Sequence, residues 1–472
     1  MTRSRGGRWA LSGARTAVGV AVAAASVVGV VAAVAAPWPV VEREPVGIVV
    51  APAAADSLAV CDGALLAAGR TSDEAGRISA AAATQPVAAA QDTAVDDIVL
   101  RSPDVEGSDG SPAFSAPPLD DVATPIAAAA SVSIVSDDVS GFAADACRPP
   151  LFESWLVGGS TTTGSSALVL ISNPGDVAST VDVTVFGATG AAVPPGGSGL
   201  SIAPRTQRVI PLAGLALGEE SPVLRVSATG APVRASLQST LVRTLVPGGV
   251  DQQSAVAVPT QTQIIPGVVV TAPPGEAGAS DDATVLRLLA PNAAAEATVT
   301  VTPTGSSTPA LAPSTVPLEA GVPTELGLGG LAVGSYVVTV TAPAAVLAAA
   351  WQATGFGAGS DFAWFTSAPA LDGATLTAVP AGPAPTLRLA NAGDADATVS
   401  LRAVRGSGAD RSIVVPAGGS AAIALTTASV WAVDPGASDG VHALVAFSAP
   451  NAIAGFAVWP PDTAAGAVRV YP

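Results

Sequence analysis

The sequence predicts an all-β protein: three tandem β-sandwich repeats, Ig-like or fibronectin-like, after one N-terminal transmembrane helix and a low-complexity segment. Three observations carry this expectation. A hairpin pattern occurs three times, as ALVLISNPGDVASTVDVTVFG from Ala167, TVLRLLAPNAAAEATVTVTPTG from Thr284 and TLRLANAGDADATVSLRAVRG from Thr386. Glycine (49) and proline (41) punctuate the 472 residues closely enough to make turns frequent and long helices rare. A charge-free run of Ala, Val and Gly near the N-terminus stands apart from both.

Residues 1–16 form a basic tail, with Arg3, Arg5, Arg8 and Arg15 and no acid. Residues 17–36 are uncharged, and such a run spans about 30 Å as a helix, enough for the hydrocarbon core of a bilayer. The arginines favour a cytoplasmic N-terminus and Trp38 suits the far interface, so the bulk of the chain is expected outside the membrane. The rival reading is a signal peptide cleaved after Ala33-Val34-Ala35, which would make the protein secreted. Both readings export everything that follows.

Residues 37–150 are rich in Ala, Pro, Ser and Asp, with acid pairs at Asp96-Asp97, Asp120-Asp121 and Asp137-Asp138. They read as a low-complexity stalk with a few strands, at Gly47–Val50, Ile98–Leu100 and Val132–Val135. The two cysteines, Cys61 and Cys147, bracket most of this region. Outside the cell they are expected to form a disulfide, and closing so long a loop is worth about 4–5 kcal/mol in the chain-entropy model.

The repeats are expected at 151–262, 263–370 and 371–472. Each hairpin gives an apolar strand, a turn near Asn173, Asn292 or Asn391, and an alternating strand through Val181, Val299 or Val399. These positions lie roughly 100 residues apart, about one sandwich domain. A later hairpin recurs too, from Val223, Ser335 and Val441, each with a Pro-containing or Gly-Ala-Pro turn. Strict alternation over five or more residues marks strands with one face inward. The short apolar linkers, residues 255–270 and 364–376, leave open one fused β assembly in place of three separable domains.

Net charge is −17 with no lysine, which argues against nucleic acid as a partner and against attraction to anionic lipid, so the membrane contact is assigned to residues 17–36 alone. No enzyme is expected, and no cofactor or metal site. His442 is the one histidine, on an apparent strand. Gly436-Ala-Ser-Asp-Gly440 has G-x-S-x-G spacing, but Pro435 precedes it and a strand follows, where a nucleophile elbow needs strand, turn and helix. The glycine-rich segments 327–330 and 355–359 open no βα unit, and Asp394, Asp396, Asp281 and Asp282 read as solvated loop acids rather than calcium ligands.

Aromatic residues make up only 4% of the chain, so the segment FGAGSDFAWF between the second and third hairpins stands out. Phe356, Phe362, Trp364 and Phe365 are the candidate binding surface, an exposed aromatic platform for sugar rings or a protein partner. The other reading of the tryptophans in or beside strands, Trp155, Trp351, Trp364, Trp431 and Trp459, is that they plug cores built mainly of Ala and Val.

At Trp155-Leu-Val-Gly-Gly, Leu168-Val-Leu-Ile-Ser-Asn-Pro-Gly and Val181-Asp-Val-Thr-Val-Phe-Gly, the chain resembles a family of uncharacterised actinobacterial proteins that are N-terminally anchored and exported, a domain of unknown function. The resemblance runs from Cys61 and Cys147 to the end of the chain. It implies export and the cysteine pair, and supplies no activity. The expected function is a noncatalytic scaffold or protein-interaction module of the cell envelope. The alternative is a protein that binds cell-wall polysaccharide or other carbohydrate through exposed aromatics, with a secreted hydrolase as a remote third.

Overall fold

Small and β-branched side chains dictate the architecture. Val, Thr and Ala alternating with polar residues cannot bury a helical stripe but fit a pleated sheet with one face inward. The structure, a computed structural model, describes residues 6–35, 48–50, 54–69, 76–271, 283–461 and 468–470. It divides into two units, Met1–Pro52 with Ala465–Pro472, and Ala53–Ala464.

In the smaller unit, Gly6–Ala35 is one helix, α1. Its stretch Gly13–Ala35, 23 residues with side chains turned to the outside, is long and apolar enough to cross a membrane. The segment expected to cross, 17–36, lies within α1 except for residue 36, which is outside the described residues. A short strand, Ile48–Val50, pairs antiparallel with Val468–Val470.

The larger unit is built of sheets. In residues 153–254 one sheet runs Glu153–Val157, Val223–Thr229, Ser179–Gly187, with Gly190–Ala192 and Leu200–Ile202 on its far edge. A second sheet runs Thr206–Pro211, Ser165–Asn173, Arg234–Arg243, Val246–Ser254. Between them lie Leu156, Val169, Ile171, Val183, Leu224 and Leu237.

The same order returns in residues 260–366. Thr260–Val270, the first part of Gly334–Ala353, Ala295–Pro303 and Ser314–Leu318 make one side. Thr324–Gly327, Thr284–Leu289, the second part of Gly334–Ala353 and Phe362–Thr366 make the other. The 20-residue strand Gly334–Ala353 passes from one side to the other, which joins them into a single sheet. Residues 375–457 give the order again. Thr375–Val379, Ser429–Asp434, Ala397–Arg405, Arg411–Val415 face Ser420–Ala424, Thr386–Asn391, Val441–Ala449, Ala452–Ala457.

The asparagine turns have one cause in the first and third of these blocks. Buried Asn173 donates from Nδ2 to the carbonyls of Val177 and Ile202 and accepts at Oδ1 from the Gly175 N–H. Asn391 does the same with Ala395, Val415 and Gly393. One side chain thereby satisfies the backbone of the turn and pins it to a neighbouring strand. In the second block the strand ends at Leu289, and Asn292 is exposed.

The described residues between 54 and 147 are paired strands, where a low-complexity stalk with a few strands was expected. They form three three-stranded sheets, Ser140–Cys147 with Ile126–Val135 and Gln85–Ala90, Ser57–Val60 with Ser111–Ala116 and Asp96–Leu100, and Leu65–Ala68 with Ile78–Ala82 and Val105–Glu106. Strands as poor in large apolar residues as Ile126–Val135, IAAAASVSIV, cannot supply a core alone. Here the core is shared: Leu66, Ile78 and Val105 pack on Leu168, Leu170 and Val209, while Ala127, Ala129 and Phe142 join the core of the third block. Cys61 and Cys147 are disulfide-bonded across this module.

Candidate functional site

The edge strands Val246–Ser254 of the first block and Ala452–Ala457 of the third each pack against both Ser140–Cys147 and Phe362–Thr366 of the second, and one carboxylate sits where the four meet. Asp361, fully buried at the start of the Phe362–Thr366 strand, accepts at Oδ2 from the N–H of Phe142 (3.0 Å) and of Ile453 (3.3 Å). Its Oδ1 accepts from the N–H of Val250 (3.2 Å). The first module and the first and third blocks therefore each donate one backbone N–H to a side chain of the second. Close approach requires glycine on the donor strands: a Cβ on Gly141 or Gly249 would lie 2.5 or 2.8 Å from Asp361 Oδ1. Burial pushes the Asp361 carboxyl up to about 7, against the opposing pull of the backbone N–H donors.

A second polar joint lies beside the disulfide. Arg234 is ion-paired with Asp62 through Nη1 and with Asp145 through Nη2 (2.9 Å), and all three are buried. Asp62 follows Cys61 and Asp145 precedes Cys147 by two residues, so the disulfide holds both acids against one guanidinium. Burial alone would lower the Arg234 pKa, but the two carboxylates overcome it and raise it. Burial and the charge of Asp62 push Asp145 up to about 7, despite Arg234. Nearby, Asp251 accepts from the Trp364 N–H (2.8 Å), and burial raises its pKa well above the usual carboxylate range.

The aromatic platform expected at Phe356, Phe362, Trp364 and Phe365 is not presented to solvent. Phe356 is 41% exposed, but Phe362, Trp364 and Phe365 are 3%, 4% and 0% exposed. Alternation divides the last three. Phe365 points into the core of its own block with Ala363, whereas Phe362 and Trp364 point outward and are covered by Trp155, Val157, Phe186 and Val223 of the first block. The outward-facing aromatics do form a docking face, and the chain itself occupies it.

Where that cover ends, the two blocks leave a cleft of about 250 Å³. Half-buried Trp351 stands on its wall, backed by Phe362 at a ring-centroid distance of 6.2 Å. Arg287, buried below, donates from Nε (3.0 Å) and Nη2 (2.8 Å) to Glu325 Oε1, and from Nη1 to the carbonyls of Gly159 and Pro222, both at 2.9 Å. Its guanidinium carbon lies 4.6 Å from the Trp364 ring centre. The rest of the lining mixes hydroxyl-bearing residues (Ser160, Thr162, Ser165, Ser166, Ser239 and Thr240) with apolar Leu241 and Val285, and Glu220 lies beside them. Sequence reasoning missed this cleft because its parts lie on different blocks. The visible signal was an arginine in an otherwise apolar strand, VLRLL.

His442 is half-buried on its strand, with Nδ1 2.8 Å from the Ala368 carbonyl oxygen. Burial lowers its pKa. Ser438 lies in the preceding loop, its N–H bonded to the Pro435 carbonyl. Asp396 accepts from the Ala417 N–H, and Asp281 and Asp282 lie outside the described residues. Among the described residues no group of three or more His, Cys, Asp or Glu is arranged to hold a metal.

Comparison with curated proteins and with solved structures finds no match. A family model does match, over residues 104–426, a span that reaches from the first module through the second block and into the third. On that match the chain belongs to a family of unknown function, DUF5719.

Proposed function

We propose that the protein is a noncatalytic, membrane-anchored, extracytoplasmic scaffold or protein-interaction module of the cell envelope, built of three Ig-like sandwich repeats clasped by an N-terminal β module. The observation that carries this reading is the joint at Asp361, where one carboxylate ties three other parts of the chain to the second block. Buried charges and outward-facing aromatics that an enzyme or a flexible binder would turn to a ligand are here committed to holding modules together. The helix α1 supplies the anchor, and a disulfide is a bond that persists in oxidising compartments. The carbohydrate alternative at Phe356–Phe365 loses its support, because three of those four rings are covered.

Fractionation of intact cells, external protease and cross-linking test the reading together. The scaffold is expected in the membrane fraction, with residues beyond α1 removed from outside, Cys61 and Cys147 oxidised, and one envelope partner cross-linked in stoichiometric yield. A cytosolic bulk with reduced cysteines, or a surface-exposed chain that cross-links to nothing, would overturn it.

A further inference from the structure

We propose that the loop tips at one end of the first block, Leu245 and Val246 with Leu217, together with Phe356 of the second block, dip into the surface of a lipid bilayer with neutral or zwitterionic headgroups. This adds a second membrane contact to that of α1 and rests on the reading of α1 as an anchor, which keeps the chain beside a membrane. The residues of one turn carry the argument. Strands Arg234–Arg243 and Val246–Ser254 are joined by only Thr244 and Leu245, both left-handed, with φ of +48° and +73°. Two-residue hairpin turns of this kind favour Asn-Gly or Asp-Gly, because bulky side chains are strained there. The molecule keeps close to that preference elsewhere: between Leu119 and Val122 the turn is made by Asp120 and Asp121, with φ of +50° and +60°. Thr244 and Leu245 depart from it twice over. A β-branched residue and a leucine take the strained positions, and the leucine is 92% exposed. Folding gains nothing from either choice, so Leu245 calls for an apolar medium outside the chain.

The neighbourhood identifies the medium. Phe356, partly exposed in the loop after the strand Gly334–Ala353, lies beside the turn, with the Arg243 guanidinium carbon 4.8 Å from its ring centre. On the other side, the Gly164 carbonyl accepts from the Val242 N–H. Thr161 of that same loop donates from Oγ1 to the Ala216 carbonyl (2.7 Å), next to Leu217, which is 83% exposed. The apolar side chains therefore stand on separate loops, with exposed Thr163 and half-buried Thr162 between them. A folded partner would need a separate pocket for each tip. The hydrocarbon boundary of a bilayer takes them all at once and leaves the hydroxyls among the headgroups. Net charge of −17, and exposed Glu220 beside these loops, give no pull toward anionic lipid, so the contact is apolar.

The test uses the full chain reconstituted into phosphatidylcholine vesicles. An environment-sensitive fluorophore is attached at Val246→Cys, since Cys61 and Cys147 are tied to each other. A second preparation carries it at Val414→Cys, 54% exposed on the third block, as the reference. Emission from position 246 is expected to be blue-shifted and quenched by doxyl-labelled lipid, and emission from position 414 to behave as in water. Thr244→Asn/Leu245→Gly suits the turn better, so it is expected to melt at or above the parent temperature. It is also expected to shift the docked population toward water about tenfold, the worth of burying one leucine. A purely structural turn would show the gain in stability with no change in quenching. A probe at 246 as wet as that at 414, or quenching untouched by the double substitution, would overturn the proposal. So would a probe shielded from water but out of reach of doxyl lipid, as under a second copy or another protein. A chain extracted from the vesicles by carbonate would overturn the anchor reading as well, whereas a retained chain with a wet probe at 246 would sink this proposal alone.

Discussion

Asp361 shows how much one side chain carries when its surroundings exclude water. A carboxyl held at about 7 in the folded chain, against 3.8 for its ordinary value, binds a proton more tightly folded than unfolded throughout the interval between them. The folded state then holds more protons than the unfolded state, so stability falls as pH rises through that window. Asp145, also raised to about 7 by burial and by Asp62, acts in the same direction, and Asp251 is raised by burial with Asp145 and Asp361 adding to it. One such shift corresponds to about 4 kcal/mol. The protein is therefore expected to melt at a higher temperature at pH 5 than at pH 7.5. Asp361→Asn cannot titrate, so it is expected to melt lower overall and to show a shallower pH dependence. Thermal melts of both forms at the two pH values check this, and an undiminished slope in the variant would remove Asp361 from the account.

At the level of elements, the disulfide and the ion pairs beside it form one device. The bond closes a loop of 86 residues, for which the chain-entropy model gives about 4–5 kcal/mol. It also fixes Asp62 and Asp145 on Arg234, which belongs to the strand Arg234–Arg243 of the first block. The Cys61→Ser/Cys147→Ser double variant is expected to lose about 3–5 kcal/mol, read as a lowered urea midpoint. An unchanged midpoint would mean that packing alone holds the clasp. The pair was visible in the sequence because two cysteines in a chain expected to be exported have few alternatives. The strands of the three blocks were visible because alternation reports which residues share a face, and Asn173 and Asn391 announced their turns. What covers a face was not visible. Phe362 and Trp364 alternate outward as an exposed platform would, and only the first block, folded onto them from more than 100 residues away, reverses the reading. The strands of 54–147 were hidden for a related reason. Alanine-rich segments carry little strand propensity, and their burial depends on Leu168, Val209, Val250 and Phe447, which lie elsewhere in the chain.

The whole larger unit behaves as one cooperative structure if its cores are as shared as its contacts show. The third block makes the sharpest case. Its core runs continuously from Trp431, Leu389 and Phe447 into Ala127, Ala129 and Phe142 of the first module, with the Phe142 and Phe447 rings 5.6 Å apart, edge to face. On its other side, Leu444, Ala446 and Ile453 belong to the core of the second block. Cut free, residues 371–461 would expose both faces, and the apolar area returned to water would exceed what a block of about 90 residues can spare from a marginal stability of roughly 5–15 kcal/mol. Expressed alone, this fragment is therefore expected to lack a cooperative melting transition and to leave Trp431, fully buried in the intact protein, open to fluorescence quenching by iodide. The intact chain is expected to shield Trp431 and to unfold its larger unit in a single transition, by fluorescence and circular dichroism alike. A fragment that melts cooperatively near the parent temperature with Trp431 protected would show that the blocks are independent beads. The joints at Asp361 and Arg234 would then be contacts between finished domains rather than part of what folds them.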